Sequence, residues 1–321
     1  MARRRLLPIA VVLLVTVAAT AAGCGSQAGS SLNPDGVDVV VTTTQLGDVV
    51  RAVGGDAVDV HQILRANTDP HDYEPRPKDI QETAGAQLVV TSGDHLDAWM
   101  GEVVDNAGGH PTVLDAGAGR PVALPGETSG PEASRFDPHW WHDPRNVEYA
   151  VGRIRAALIA ADPPARAVID RGAAAYLAKL RTLDRGIATC MNSVPAAQRR
   201  LVTDHDAFGY FAKRYDIDVV GAVIPSQTTQ AQPSAGDLAQ LSATIRREHV
   251  KAIFPESSIN PKLADAIARQ TGADADNTLY GDTLGPAGSR GATYLGMEAA
   301  NADAMVRGFT GGARGCSIPG L

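Results

Sequence analysis

The chain has 321 residues, 44% of them apolar, and a formal net charge of −7. Removing residues 1–23 takes away Arg3, Arg4 and Arg5 and no acid, so the remainder carries −7 − 3 = −10. So acidic a body is a poor partner for nucleic acid and a good host for cations.

The first residues, "MARRRLLPIAVVLLVTVAATAAGCGS", join three arginines to an apolar run from Leu6 to Ala22 and then to small residues before Cys24. That is the layout of a secretory signal. "TAAGC" is similar to the lipobox of bacterial lipoproteins, which implies cleavage before Cys24 and lipid on its sulfur. The alternative, a transmembrane anchor, would have only about 17 apolar residues, the lower limit for a span. Residues 24–36 are small and breaker-rich and read as a flexible tether. No later stretch is apolar enough to cross a membrane. Once Cys24 is lipidated, Cys190 and Cys316 remain. In an oxidising compartment they are candidates for a disulfide, the alternative being two unrelated thiols.

From Val37 onward, β-branched runs alternate with helical patterns, the signature of βα units and mostly parallel sheets. Strands are expected at 37–42, 58–64, 86–92 and 111–116, with helices near 45–53, 77–84 and 95–107. A breaker-rich loop follows, "GAGRPVALPGETSGPEASRFDP". Two helical patterns come next. In the first, Val147, Ala150, Val151, Ile154, Ala157 and Leu158 define one buried face. In the second, Val168, Leu177, Leu180, Leu183, Ile187 and Met191 keep helical spacing until Pro195. About 28 residues at 1.5 Å each make a rod of roughly 40 Å, a strut between two domains. The second half repeats the alternation, with strands at 199–204, 217–224, 250–256 and 276–282 and helices near 207–214, 235–248, 261–270 and 292–309. The expected organisation is a first α/β lobe at 37–163, a linking helix at 164–194 and a second α/β lobe at 195–321.

His71 lies in the loop after the second strand, in "TDPHDYEP", and His139 precedes the first of the two central helices, in "FDPHWWHDP". His205 follows a strand in "LVTDHDAFGYF", and Asp282 closes the last strand in "LYGDTLGP". Three of the four fall at expected C-terminal strand ends, where parallel α/β sheets place ligands. Three imidazoles and a carboxylate suit tetrahedral zinc. Nearby acids, Asp69, Asp72, Asp137, Asp143, Asp204 and Asp206, are placed to orient the imidazoles or to cap helices. No two of these ligands share a short regular motif, so spacing alone leaves each of them open as an ordinary loop histidine or acid.

Together, "TDPHDYEPRPKDI", "DPHWWHDPRN", "TDHDAFGYFAKRY" and "YGDTLGPAGSRGATYLGMEAAN" resemble, in order and rough spacing, segments of the metal-binding solute-binding proteins of zinc and manganese ABC transporters. The resemblance runs from about Val37 to Phe309 and is strongest to the zinc-binding branch. It implies two α/β lobes joined by one long helix, a metal cleft between them, and His71, His139, His205 and Asp282 as ligands. Manganese-preferring relatives commonly carry Glu at the third position; His205 there leans toward Zn(II), with a manganese or mixed Zn/Mn binder of the same type as the alternative. The implied function is a lipid-anchored extracytoplasmic receptor, a monomer, that passes zinc to an ABC permease and its ATPase subunit, with a metallochaperone as a further candidate partner.

Two departures stand out. The long His-rich acidic loop of many zinc members is replaced by the short "LPGETSGPEASRF", and "WWHDP" puts His142 where relatives are usually apolar. His142 reads as an alternate ligand or, more simply, as a partly exposed residue at a helix start. Glu256, in "FPESS", is a candidate support for His205, or else a cap or a solvated acid. Trp140 and Trp141 read either as walls of the site or as core. His61, His95, His110 and His249 have no partner motif, and "AGAGR" is too short for a nucleotide loop. Two other classes compete: a zinc hydrolase, disfavoured because Asp282 would fill the fourth position and HExxH is absent, and a surface adhesin on the same scaffold.

Overall fold

The computed structural model describes residues 36–130 and 133–321. The signal segment, Cys24 and all of the tether but Gly36 lie outside the described residues. Among the described residues, no helix is long and apolar enough to cross a membrane.

The first half builds β1 (Val37–Val41), α1 (Thr44–Gly54), β2 (Val58–Gln62), α2 (Pro77–Ala84), β3 (Leu88–Thr91), α3 (Met100–Ala107) and β4 (Thr112–Asp115). The strands form one parallel sheet in the order β2-β1-β3-β4. Helices cover both of its faces, which is why β1 and β3 are almost wholly apolar. Val37, Val39, Val41, Leu88 and Val90 face the main core, whereas Val40 and Val89 pack with Ile63, Met100 and Val103. The Thr43 hydroxyl caps α1 by accepting from the Leu46 amide.

Two helices follow, α4 (Pro144–Ala161) and α5 (Arg166–Asn192). At 27 residues, α5 is about 40 Å long. It packs on α1 and α4 at one end of the chain order and on α6 (Gly209–Tyr215) and α9 (Tyr294–Thr310) at the other. Its buried stripe is Ile169, Ala173, Tyr176, Leu180, Leu183, Ile187 and Met191. The stripe expected from the sequence is corrected at two places: Val168 is 38% exposed and Leu177 only half-buried, because Ile169 and Tyr176 continue the true three-and-four spacing toward the N-terminus.

The second half contains a regular pair of parallel strands, β5 (Arg200–His205) and β6 (Asp218–Ile224), with α7 (Ala235–Arg247) and α8 (Lys262–Thr271). The strands expected at 250–256 and 276–282 are not continuous. The chain there makes isolated bridges, Thr203 to Phe254, Ala252 to Asp274 and Glu256 to Leu279. Pro255 interrupts the first run by removing a ladder donor, although Ala252 to Glu256 stay buried beside β5. The helix expected from residue 95 begins instead at Met100. Gly93, Asp94 and His95 take φ values of 87°, 52° and 69°, and the Asp97 carboxylate fixes this turn by accepting the amides of Ser92 and Gly93 and the Thr42 hydroxyl.

Cys190, on the last turns of α5, is bonded to Cys316 in the C-terminal tail. The bridge closes a separation of 126 residues, and the Cys316 amide also donates to Asp303 on α9. Cross-links of this kind contribute about 2–4 kcal/mol, largely by restricting the unfolded chain. A Cys190→Ser/Cys316→Ser variant is therefore expected to melt on the order of 10 °C lower in calorimetry. An unchanged Tm, or two free thiols in the native protein by mass measurement, would show that the tail is held without the bond.

Candidate metal centre

Each candidate ligand is delivered by a local device that the sequence makes possible. His71 and His139 both occur in the tripeptide Asp-Pro-His. In each, the carboxylate two residues earlier accepts the histidine amide, Asp69 from His71 and Asp137 from His139, both at 2.9 Å. Proline fixes φ between them, so the pair is a short, stiff turn that presents an imidazole. His205 is the last residue of β5. Asp282 follows Gly281, a position where a Cβ would lie 2.0 Å from Glu256 Oε2. Only glycine lets the chain carrying Asp282 pass so close to Glu256.

These devices converge. His71, His139, His205 and Asp282 each offer one ligand atom, and the four atoms lie within 4.8 Å of one another. Asp282 is at the centre: Oδ1 is 3.3 Å from His139 Nε2, and Oδ2 is 3.4 Å from His205 Nε2 and 3.7 Å from His71 Nε2. His139 Nε2 and His205 Nε2 are 3.3 Å apart. All four residues are buried, with exposures of 4% or less. A tetrahedral zinc with bonds of about 2.0–2.1 Å spaces its donors about 3.3 Å apart. The cluster therefore fits such an ion with little rearrangement.

Behind the imidazoles stand carboxylates. Asp137 Oδ1 is 2.8 Å from His139 Nδ1, and Glu256 Oε1 is 2.8 Å from His205 Nδ1. Glu256 also accepts the His205 amide, and its own amide donates to Asp204. Each contact fixes a ring and turns Nε2 toward the centre. Burial opposes the charged form of His139, but the Asp137 and Asp282 carboxylates outweigh it and push its pKa up to about 9. His205 is raised well above its ordinary value by Glu256 and Asp282, again against burial. Burial raises Asp282, yet the surrounding imidazoles, His205 foremost, hold it well below the usual carboxylate range. Burial and the neighbouring Glu256 charge push Asp204 up to about 7.

The structure corrects the expectation that His142 is a partly exposed helix-start residue. It is fully buried, stacked on Phe208 with centroids 4.4 Å apart, and its Nδ1 is 2.7 Å from Glu298 Oε1. Glu298 sits on α9 at 0% exposure, where a carboxylate needs a partner, and the imidazole meets that need. His142 is not in the four-residue cluster. Glu256 is 2% exposed and set against His205, neither capping a helix nor solvated. Trp140 and Trp141 belong to the main core, and Trp141 also borders the site, with its ring 5.5 Å from His139 and its indole N–H donating to Gly281 O.

Sequence reasoning did not single out Asp137 from its acidic neighbours; the repeated Asp-Pro-His tripeptide was the available signal. Nor did it find Thr283, next to Asp282, whose hydroxyl accepts the Asn67 amide and lies 3.4 Å from the Thr44 hydroxyl. These bonds tie residue 283 to the start of α1 and to the His71 loop, contacts more than 200 positions apart that no local pattern marks.

The chain is similar to known metal-binding proteins over most of its length. The manganese-binding lipoprotein MntA of Halalkalibacterium halodurans is 30% identical over 301 residues, which are 93% of this chain and 97% of that protein. The zinc-binding protein TroA of Treponema pallidum is 33% identical over 278 residues, 85% of this chain and 89% of that protein. The solved structure of the periplasmic zinc-binding protein TroA from Treponema pallidum matches with a TM-score of 0.78 at 31% identity, covering 85% of this chain and 99% of that one. The two-lobed α/β architecture with a long helix is shared with it. The model of one family, zinc-uptake complex component A, periplasmic, matches residues 39–308, and the chain belongs to that family.

Proposed function

We propose that this protein is an extracytoplasmic receptor that captures Zn(II) between its two lobes and delivers it to an ABC permease for import. The family consists of substrate-binding proteins of metal transporters, which work with permease and ATPase components, and not of enzymes. The observation that carries the zinc reading is the donor set: three imidazole nitrogens and one carboxylate, spaced for a tetrahedral ion. Such nitrogen-rich sets favour zinc over manganese, which prefers more oxygen ligands. The lobes are 37–163 and 195–321, joined by the helix at 164–194, and lipid on Cys24 tethers the mature chain as a monomer to the outer face of the membrane. His71, His139, His205 and Asp282 are the ligands; Asp137 and Glu256 orient two of the rings.

A manganese reading has its support in relatives named for manganese, MntA of Halalkalibacterium halodurans and PsaA of Streptococcus pneumoniae among them. Calorimetry on chelator-stripped protein separates the two. Zinc should bind with His71, His139 and His205 each required, and Glu256→Gln should weaken binding by about 10–100-fold. His205→Ala should weaken it further. Manganese occupying the site equally at matched free concentrations would overturn the zinc assignment, and unchanged zinc affinity in all three histidine variants would overturn the site.

The pH dependence follows from the raised imidazoles. Zinc takes the neutral ring, so protons compete with it at any pH below the metal-free pKa. For His139 that competition extends up to about 9, higher than the range near 6.5 of an ordinary histidine. Zinc affinity should therefore keep rising with pH from 6.5 to about 9. In the metal-free protein the sign reverses. A pKa raised by folding stabilises the fold fully below the unfolded value and ceases to do so as pH climbs through the folded one. The zinc-induced increase in Tm should accordingly be larger at pH 9 than at pH 6.5, and an increase that shrinks over that range would contradict the assigned charges.

A further inference from the structure

Arg120, which follows β4 on the way to α4, is a buried cation with partners from both halves of the chain. Its Nη1 is 2.6 Å from Asp94 Oδ2, in the turn after β3, and donates to Gly117 O at 3.1 Å. Its Nη2 donates to Asp137 O at 3.3 Å. Nε and Nη2 both donate to the hydroxyl of Tyr210 on α6, at 3.3 and 3.0 Å. The guanidinium carbon also lies 5.2 Å from the centroid of the Phe136 ring. A buried guanidinium is costly unless its charge and its donors are met, and here Asp94 meets the charge while Gly117, Asp137 and Tyr210 accept the donors.

Tyr210 completes the arrangement. Its buried hydroxyl donates to Asp137 O at 3.0 Å and accepts the Leu124 amide at 3.0 Å as well as the guanidinium. The proton and both lone pairs of the phenol are thus engaged. The Asp137 carbonyl receives two donors, and the Asp137 amide donates to Leu124 O at 3.1 Å. At Gly209, the first residue of α6, an added Cβ would lie 3.3 Å from Asp137 Oδ2, so the helix and this residue are packed closely. The consequence falls on a ligand. Asp137 Oδ1 accepts the His139 amide at 2.9 Å and lies 2.8 Å from His139 Nδ1, so the place of the Asp137 backbone decides where the His139 ring points. A planar fork of donors can fix several acceptors at once, which a lysine ammonium cannot do in the same geometry.

We propose that Arg120 and Tyr210 are positioning residues for His139: together they clamp the Asp137 carbonyl between the segment after β4 and α6, and so hold the imidazole on the metal. This rests on the zinc-capture reading above. The test is the zinc affinity of chelator-stripped, full-length mature protein, measured in competition with a chromogenic chelator. Tyr210→Phe removes one hydroxyl from the clamp and should weaken zinc binding about tenfold, the lower end of the range for groups behind a metal ligand. Arg120→Lys keeps a charge beside Asp94 but loses the fork, and should weaken binding to a similar degree. Tyr215→Phe removes a hydroxyl from the same helix whose partner, at 3.0 Å, is Asp184 on α5, and should leave the affinity near that of the parent. In an Asp137→Ala background, where no carboxylate is left to position, Tyr210→Phe should cost about twofold or less. Parent-like affinity in Tyr210→Phe or Arg120→Lys, an equal loss in Tyr215→Phe, or full additivity with Asp137→Ala would overturn the clamp while leaving the zinc site intact. A parent protein that takes up no zinc would instead overturn the capture reading, and this inference with it.

Discussion

Everything near the centre of this protein depends on one buried carboxylate. Asp282 lies within 3.7 Å of three imidazole nitrogens, at 1% exposure, where a lone negative charge would be costly. Without a metal, protons on His139 and His205 supply the compensating charge, which is why those imidazoles are raised and Asp282 is lowered. Asp137 and Glu256, placed behind the two rings, strengthen this bias. A divalent cation replaces those protons at the same centre. Capture at this centre is thus an exchange of one kind of positive charge for another.

That centre imposes demands on the rest of the chain. Asp282 must come close to Glu256 without a side chain intervening, which fixes glycine at 281. Thr283 must be free to bond Asn67 and Thr44, so the residue after the ligand is polar and buried rather than apolar. The Trp141 indole bonds Gly281 O, and Tyr294 on α9 donates to Trp141 O, linking the ligand segment through the aromatic layer to the C-terminal helix. His142 and Glu298 form a further buried pair between the same two elements. The long helix α5 packs against elements of both halves and carries the cysteine that holds the tail.

Much of this was legible in the residues because it is periodic or local. The valine runs of β1 and β3, the helix caps, and the three-and-four stripe of α4 all specify their elements from neighbours within a turn or two. Three of the four candidate ligands, His71, His205 and Asp282, were legible at the level of strand ends, and the resemblance marked all four as a set. What escaped was non-local. The burial of His142 depends on Glu298, 156 positions away, and nothing in "WWHDP" reveals it. The strand expected at 250–256 failed locally, since Pro255 was visible in the sequence, but its burial beside β5 is set by the fold. The start of α3 was displaced because Asp97 accepts donors from Ser92, Gly93 and Thr42 and stabilises left-handed backbone that propensity does not anticipate.

The same division between local and non-local interactions bears on how one site can hold an ion firmly and still surrender it. Ligands secured by carboxylates in their own neighbourhood contribute affinity that a partner at the surface cannot easily reach. Because the donors are so closely spaced, moving one imbalances the whole set: the remaining three leave a coordination position open to water or to an incoming ligand.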